Sequence, residues 1–333
     1  MKEINFFDKK SLIIAEVGIN HNGNIAIALE LVEKAAKAGA DVIKFQTLSP
    51  ETNFNLTDKD NKLYRFFKKT TFSLKEYQQI KKKAEKERII FMSSAADVPS
   101  ARLLYKLGIP GIKLSSSNFT NFHLISELAK YNLPLILSSG MATIKEMKQT
   151  YDFLIKLKVK KFAFLYCLVE YPTQFENINF KIMEKMRQLF SIPVGFSDHT
   201  LGITAAFVAR AKGACIIEKH FTLDRKLLGP DQEISLEPDE LRKLVLGVRD
   251  IEAMLFANKP RINSEKKIEI LKTRRSLYAF RDLEKGKVIE FDDIAAKRPY
   301  NKKGIDPRNY MTIIGKKTQQ LIKRNQLIRK GIF

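Results

Sequence analysis

Acidic residues are in short supply: 37 Asp and Glu stand against 59 Lys and Arg, a formal net charge of +22. Cysteine is scarcer still, with only Cys167 and Cys215, and there are four histidines. Two cysteines cannot build a disulfide framework. Both fall in or beside apolar runs, so they read as buried free thiols suited to a reducing cytoplasm. No stretch approaches the roughly 18 apolar residues of a membrane span. The charged opening MKEINFFDKKSLIIAEVG does not read as a signal peptide. These absences predict a cytoplasmic protein with no membrane partner. Also missing is a glycine-rich dinucleotide loop: VGINHNG, after the first apolar run, lacks that spacing. The basic surplus brings no nucleic-acid module and no basic stripe interleaved with aromatics, so no nucleic-acid partner is expected. Its positive field suits the capture of a small anion.

What is present is a regular alternation. Eight short apolar runs read as strands: Leu12–Ala15, Val42–Phe45, Ile89–Met92, Ile112–Leu114, Leu133–Leu137, Phe162–Leu165, Pro193–Phe196 and Cys215–Ile217. Helical periodicity fills the gaps, as in Ala26–Ala38 before Gly39, and in Ser73–Glu87, which opens on the capping-box pattern SLKE. Eight β-α units predict a closed (β/α)8 TIM barrel over residues 1–258, with its site where the strands end. A polar stretch at 259–275 reads as a linker. Residues 276–333 carry short β-like pieces at Ser276–Phe280, Val288–Ile289, Ile294–Lys297 and Ile313–Gly315, a small and mostly β domain. Alone it would be only marginally stable.

The predicted strand ends concentrate reactive side chains. His199 in GFSDHT and His220 in EKHFT close strands seven and eight, where two imidazoles can hold one divalent metal with open positions. A buried, mutually satisfied histidine pair is the plainer alternative. His123, within a helix, reads as structural. Lys44 and Lys113 end strands two and four, and an interior lysine needs a negative partner, which a phosphate or carboxylate ligand would supply. A Schiff-base lysine is the rival use. Ser94, Ser116 and Ser197 could donate to the same anion. Glu16 ends strand one as a possible base or hydroxyl ligand, and Asp231 lies in the loop after strand eight. For these two acids a solvated or ion-paired carboxylate fits the spacing equally well.

Taken together, AEVGINHNG, AGADVIKFQT, KLSSSN, LSSGMAT, EYPT, GFSDHTLG, IEKHFTLD, GPD and the late KRP at 297–299 resemble the sialic acid synthase family over almost the whole chain. The last region resembles the antifreeze-like (SAF, β-clip) domain appended in that family. The resemblance implies condensation of phosphoenolpyruvate with an N-acyl hexosamine, such as N-acetylmannosamine, to give a nonulosonic acid. By position, His199 and His220 match metal ligands, with Mn²⁺ expected first and Mg²⁺ or Co²⁺ next. Lys44, Lys113, Ser94, Ser116 and Ser197 match groups holding phosphoenolpyruvate; Glu16, Gln46, Tyr171 and Asp231 match groups near the amino sugar. Arg298 matches an arginine that one subunit inserts into the barrel of another, implying a domain-swapped homodimer.

The sequence departs from the family pattern in places. Asn118 stands where a glutamate is usual, Val169 replaces a polar group, Ser93-Ser94-Ala95-Ala96 replaces STPF, and Gln232 replaces a histidine. These positions are expected to face substrate and to reflect a changed sugar. The alternatives are a related barrel acting on another aldose, or a weakened relative acting as a binding protein.

Overall fold

The inward-facing side chains of eight parallel strands are arranged in two layers. The computed structural model of the chain describes residues 4, 10–55, 62–257 and 267–333. Strands β1 (Leu12–Gly18), β2 (Val42–Thr47), β3 (Ile90–Ala95), β4 (Ile112–Leu114), β5 (Leu135–Ser138), β6 (Phe162–Cys167), β7 (Val194–Asp198) and β8 (Ile216–His220) close in sequence order, with β8 returning to pair with β1. Between and after them lie α1 (Ile25–Ala38), α2 (Pro50–Asn53), α3 (Lys62–Thr70), α4 (Leu74–Lys86), α5 (Val98–Leu107), α6 (Phe122–Ala129), α7 (Ile144–Lys156), α8 (Phe180–Phe190), α9 (Thr204–Ala211) and α10 (Pro238–Leu255). The predicted barrel is therefore present. The two short helices α2 and α3 were not read from the sequence.

Side chains alternate along a strand, so residues two apart share a face. The lower inward layer is apolar: Ile14, Val42, Met92, Ile136, Ala163, Leu165 and Ile216 pack on one another and on Ile4. Gly195 belongs to this layer because nothing larger fits; a Cβ there would come within 2.6 Å of Ile216 and of Leu165. Two residues further along the same strands, the inward positions are Glu16, Lys44, Ser94, Ser138, Cys167, Ser197 and Glu218. The outward positions, such as Ile13, Ile43, Phe91, Phe164, Phe196 and Ile217, form the larger core beneath the helices.

Local signals set the helix ends. Ser73 and Glu76 form the expected capping box on α4, and Gly39 ends α1 in the left-handed region at φ 91°. Cys167 is a buried free thiol, whereas Cys215 is only half-buried.

A latch at the far end of the barrel ties the last helix to the first strand. Glu252 of α10 accepts from Ser11 N at 2.6 Å, Ser11 Oγ at 2.7 Å, Arg210 Nε at 3.1 Å and Arg249 Nη1 at 3.0 Å. Arg249 also reaches Asp41 at 2.6 Å, whose carboxylate accepts from Ile13 N. Breaking a buried pair of this kind costs about 3–5 kcal/mol. We therefore expect Glu252→Ala to lower the barrel's stability by about 3 kcal/mol. Chemical denaturation followed by circular dichroism checks this, and an unchanged midpoint would show the latch to be dispensable.

A second compact unit covers Ala257–Phe333. Of the stretch read as a linker, residues up to 266 lie outside the described residues, and Lys267–Thr273 forms a helix, α11. Strands β9 (Ser276–Ala279) and β10 (Ile294–Lys297) pair antiparallel. The expected piece at Val288 makes a single bridge to Lys317, while Ile313–Gly315 is not a strand and follows a 3-10 turn at Pro307–Thr312. Leu277, Ile305, Ile313 and Ile328 form its small core.

Candidate active site

The upper inward layer forms a cavity lined by Glu16, Lys44, Gln46, Ser94, Lys113, Ser116, Ser138, Tyr171, Ser197, His199, Glu218 and His220, with Ser115 and Cys167 between them. All the predicted barrel residues except Asp231 appear in that lining. Asp231 borders it: its Oδ2 is 3.8 Å from His220 Nδ1. Gly18, at φ 55°, leaves room there, since a Cβ would stand 3.1 Å from Gln46 Nε2 and 3.4 Å from both the Asp231 and Glu16 carboxylates. Arg298 lies in the second unit, exposed beside β10.

The lysines find their negative partners within the protein, contrary to the expectation that a ligand must supply them. Lys44 Nζ is 2.6 Å from Glu16 and 3.5 Å from Glu218. Lys113 Nζ is 2.9 Å from Glu218, which also accepts from Ser197 Oγ at 2.9 Å. Gln46 donates to Glu16 at 3.2 Å. Burial opposes the charge of Glu218, but Lys113 and Lys44 outweigh it and hold this carboxyl well below the usual range. Burial wins at Glu16 and raises its pKa against the pull of Lys44. Lys113 is lowered by burial, whereas at Lys44 the nearby carboxylates overcome burial and raise the pKa. Two carboxylates pushed apart in this way can divide ionised and proton-holding roles.

Glu218 was missed as a site residue. Its signal lay in parity: it precedes His220 by two on one strand, so both face inward. Ser138 ends β5 with its buried hydroxyl unpartnered, and was assigned no role from the sequence.

The two histidines stand side by side at the ends of β7 and β8. Their ring centroids are 5.5 Å apart. Burial keeps both below the usual imidazole range, with His199 adding to the effect on His220. His199 Nδ1 lies 2.6 Å from the Leu168 carbonyl, which orients the ring and leaves Nε2 available. His220 Nδ1 is buried without a hydrogen-bond partner. Tyr171 stacks on His199 at 4.2 Å. Burial pushes Asp231 up to about 6, and Glu16 adds to this. Among the described residues no three His, Cys, Asp or Glu side chains gather as a metal site, so these two imidazoles would be the main protein ligands. His123 is exposed on α6.

The family comparison meets this geometry directly. A model described as the NeuB family matches residues 31–259, and one described as the SAF domain matches residues 274–331. The chain belongs to the NeuB family. This NeuB chain is 36% identical over 335 residues to the N,N'-diacetyllegionaminic acid synthase of Campylobacter jejuni, covering 97% of the chain and 100% of that relative. It is 32% identical over 331 residues to the N-acetylneuraminate-9-phosphate synthase of Homo sapiens, covering 96% and 92%. Its fold matches the crystal structure of an N-acetylneuraminic acid (sialic acid) synthetase from Leptospira borgpetersenii with a TM-score of 0.73 and 35% identity, covering 78% of this chain and 90% of that one.

Of the departures in this NeuB chain, only Ser94 lines the cavity. Asn118 closes a short turn, accepting from Asn121 Nδ2 at 2.8 Å. Gln232 is buried behind Asp231, where it accepts from the Thr222 hydroxyl and donates to Asn20 O at 3.1 Å. Asn20 in turn donates to Ser235 Oγ, which donates to the Asp231 carbonyl. Gln232 thus fastens the loop that carries Asp231. Val169 is exposed at the rim, packed by Gly140, and Ser93 faces outward to donate to Phe45 O. We expect Gln232→Leu to lower kcat about tenfold, the equivalent of roughly 1.4 kcal/mol from lost buried hydrogen bonds. The KM for phosphoenolpyruvate should hold, and Gln232→His should keep most of the rate. Steady-state kinetics decide; equal losses in both variants would remove the loop-fastening role.

Proposed function

We propose that this chain condenses phosphoenolpyruvate with an N-acyl hexosamine, releasing phosphate and a sialic-acid-like nonulosonic acid. The observation carrying this reading is the buried set of two lysines and two glutamates beneath two uncharged histidines at the open end of the barrel. The two lysines give the set a cationic face that suits a small, highly charged anion, and burial raises the pKa of Glu16, which suits it to carry a proton.

Lys44, Lys113, Ser94, Ser116 and Ser197 would hold the phosphate and carboxylate by charge-assisted hydrogen bonds in the cavity they line. The phosphoenolpyruvate methylene carbon attacks the aldehyde carbon of the open-chain sugar, and the new alkoxide takes a proton from Glu16. Water adds to the resulting oxocarbenium carbon and gives its proton to the Glu16 carboxylate, which restores the starting protonation. Phosphate then leaves by C–O cleavage. Gln46, Tyr171 and Asp231 orient the sugar hydroxyl and acyl groups. His199 and His220 would hold a divalent ion, Mn²⁺ first and Mg²⁺ or Co²⁺ next, supplying Lewis-acid polarisation of the aldehyde.

For the sugar, a diacetamido-trideoxy hexose is favoured. Identity is level between the diacetyllegionaminic acid synthase and the sialic acid synthetase, 36% against 35%, so the support comes from the apolar side chains of Val169 and Met141 exposed at the rim. Such a sugar offers methyl groups where N-acetylmannosamine offers hydroxyls. Arg298 is exposed and engages in no hydrogen bond or ion pair among the described residues, which leaves its guanidinium free to reach the barrel of a second subunit in a swapped homodimer. Free thiols and the lack of a membrane-crossing helix among the described residues support a cytoplasmic setting.

The test is phosphate release from phosphoenolpyruvate with Mn²⁺ and a panel of N-acyl hexosamines and plain aldoses. The diacetamido-trideoxy hexose should be fastest. Release with a plain aldose alone would overturn the amino-sugar assignment, and release with none would overturn the activity.

A further inference from the structure

The two strands that carry the histidines also carry an ion pair on their opposite face. Parity turns Val194, Phe196 and Asp198 of β7 outward, and likewise Ile217 and Lys219 of β8 followed by Phe221. Four of these six are apolar and lie in the core beneath the helices. Asp198 and Lys219 interrupt that core. They are register partners across the two strands, their charged atoms are 3.1 Å apart, and both side chains are 0% exposed. Neither lines the cavity.

A buried ion pair is seldom the most stable choice at such a position, because desolvating two charges costs as much as their attraction returns. What it supplies is fixed geometry. Asp198 Oδ1 accepts from Thr200 N at 2.8 Å, and Lys219 Nζ donates to the Thr200 carbonyl. The residues on both sides of His199 are therefore fastened to the residue just before His220. The His199 ring is already oriented by Leu168 O, and His220 Nδ1 has no hydrogen-bond partner, so the separation of the two rings depends on how the strand ends are held.

We propose that the Asp198–Lys219 pair is a positioning clamp that sets the spacing of His199 and His220 from the back of the barrel wall. The consequence for metal uptake rests on the reading of these histidines as ligands of a divalent ion. Outer-shell partners that hydrogen-bond a ligand typically change metal affinity by about 10–100-fold, and a clamp on the strand ends that carry the ligands is expected to act within that range.

The test removes both charges together, so that neither is left buried alone. In Asp198→Leu/Lys219→Leu, Mn²⁺ affinity measured by electron paramagnetic resonance without substrate should fall about 10–100-fold. The melting temperature should stay level or rise, and the ¹⁵N signals of the two imidazoles should shift. Lys219→Arg, which keeps the pair, should keep most of the affinity. A folded double variant with parental Mn²⁺ affinity and parental imidazole signals overturns the clamp. If the parent binds no Mn²⁺, the metal reading fails and the imidazole signals alone judge the clamp: shifted signals uphold it and unchanged signals overturn it. Should the double variant not fold, Asp198→Asn, whose amide oxygen can still accept from Thr200, is read by the same criteria.

Discussion

Replacing His220 with alanine should abolish turnover while leaving the barrel folded. The imidazole lies in the polar upper layer, makes no hydrogen bond through Nδ1, and contributes nothing to the apolar core beneath the helices. On the proposed reading, its loss would remove one of the two imidazoles that hold a divalent ion. A Lewis-acid contribution of several kcal/mol corresponds to roughly a 10³-fold or greater loss of rate. A strong chelator should do the same to the parent protein, and added Mn²⁺ should restore it. The comparison needs phosphate release, Mn²⁺ binding and thermal unfolding on both proteins. Undiminished turnover under a strong chelator would sink the two-histidine site.

The second large effect concerns Lys113. Removing its ammonium group should weaken phosphoenolpyruvate binding by about 1.5–3 kcal/mol, or roughly 10–150-fold in Kd, with less effect on the sugar. The structure adds a complication, because Lys113→Ala also takes one of two lysines from Glu218. Lys113→Ala/Glu218→Gln separates the two effects. It should recover stability lost to the unpaired carboxylate but not the affinity for phosphoenolpyruvate. Calorimetric titration beside thermal unfolding gives both values. If the double variant binds phosphoenolpyruvate as the parent does, Lys113 serves only to neutralise Glu218.

The barrel was legible because its two periodicities are strong. Eight apolar runs at strand length alternate with helices whose stops, such as Gly39 and the Ser73–Glu76 box, are local in sequence. The site was legible wherever a reactive residue sits at the end of a run, as with Lys44, Lys113, His199 and His220. It was less legible where meaning depends on register. Glu218 reads as an ordinary strand charge until β8 is aligned with β7 and β1, which brings it against Ser197, Lys44 and Lys113. Motif comparison set Asn118 and Gln232 against substrate, whereas their side chains are taken up by protein groups, Asn121 and Ser115 for Asn118 and Thr222 and Asn20 for Gln232. Asn20 and Thr222, which hold Gln232, lie far from it in the chain or in another loop, so spacing could not reveal them.

The two inward layers also limit how such a protein can evolve. Apolar floor and charged layer are distinguished only by position along each strand, and neighbours within a strand carry opposite chemistry: Glu218 and His220 face in, while Lys219 faces out. Inserting or deleting one residue in β8 ahead of Glu218 would turn a lysine into the cavity and two of its working side chains into the helices. Rim residues such as Val169 and Met141 are under no such parity constraint. Lineages of this barrel should therefore exchange rim side chains freely while tolerating almost no single-residue length change within the strands, so that substrate range drifts and reaction type is inherited.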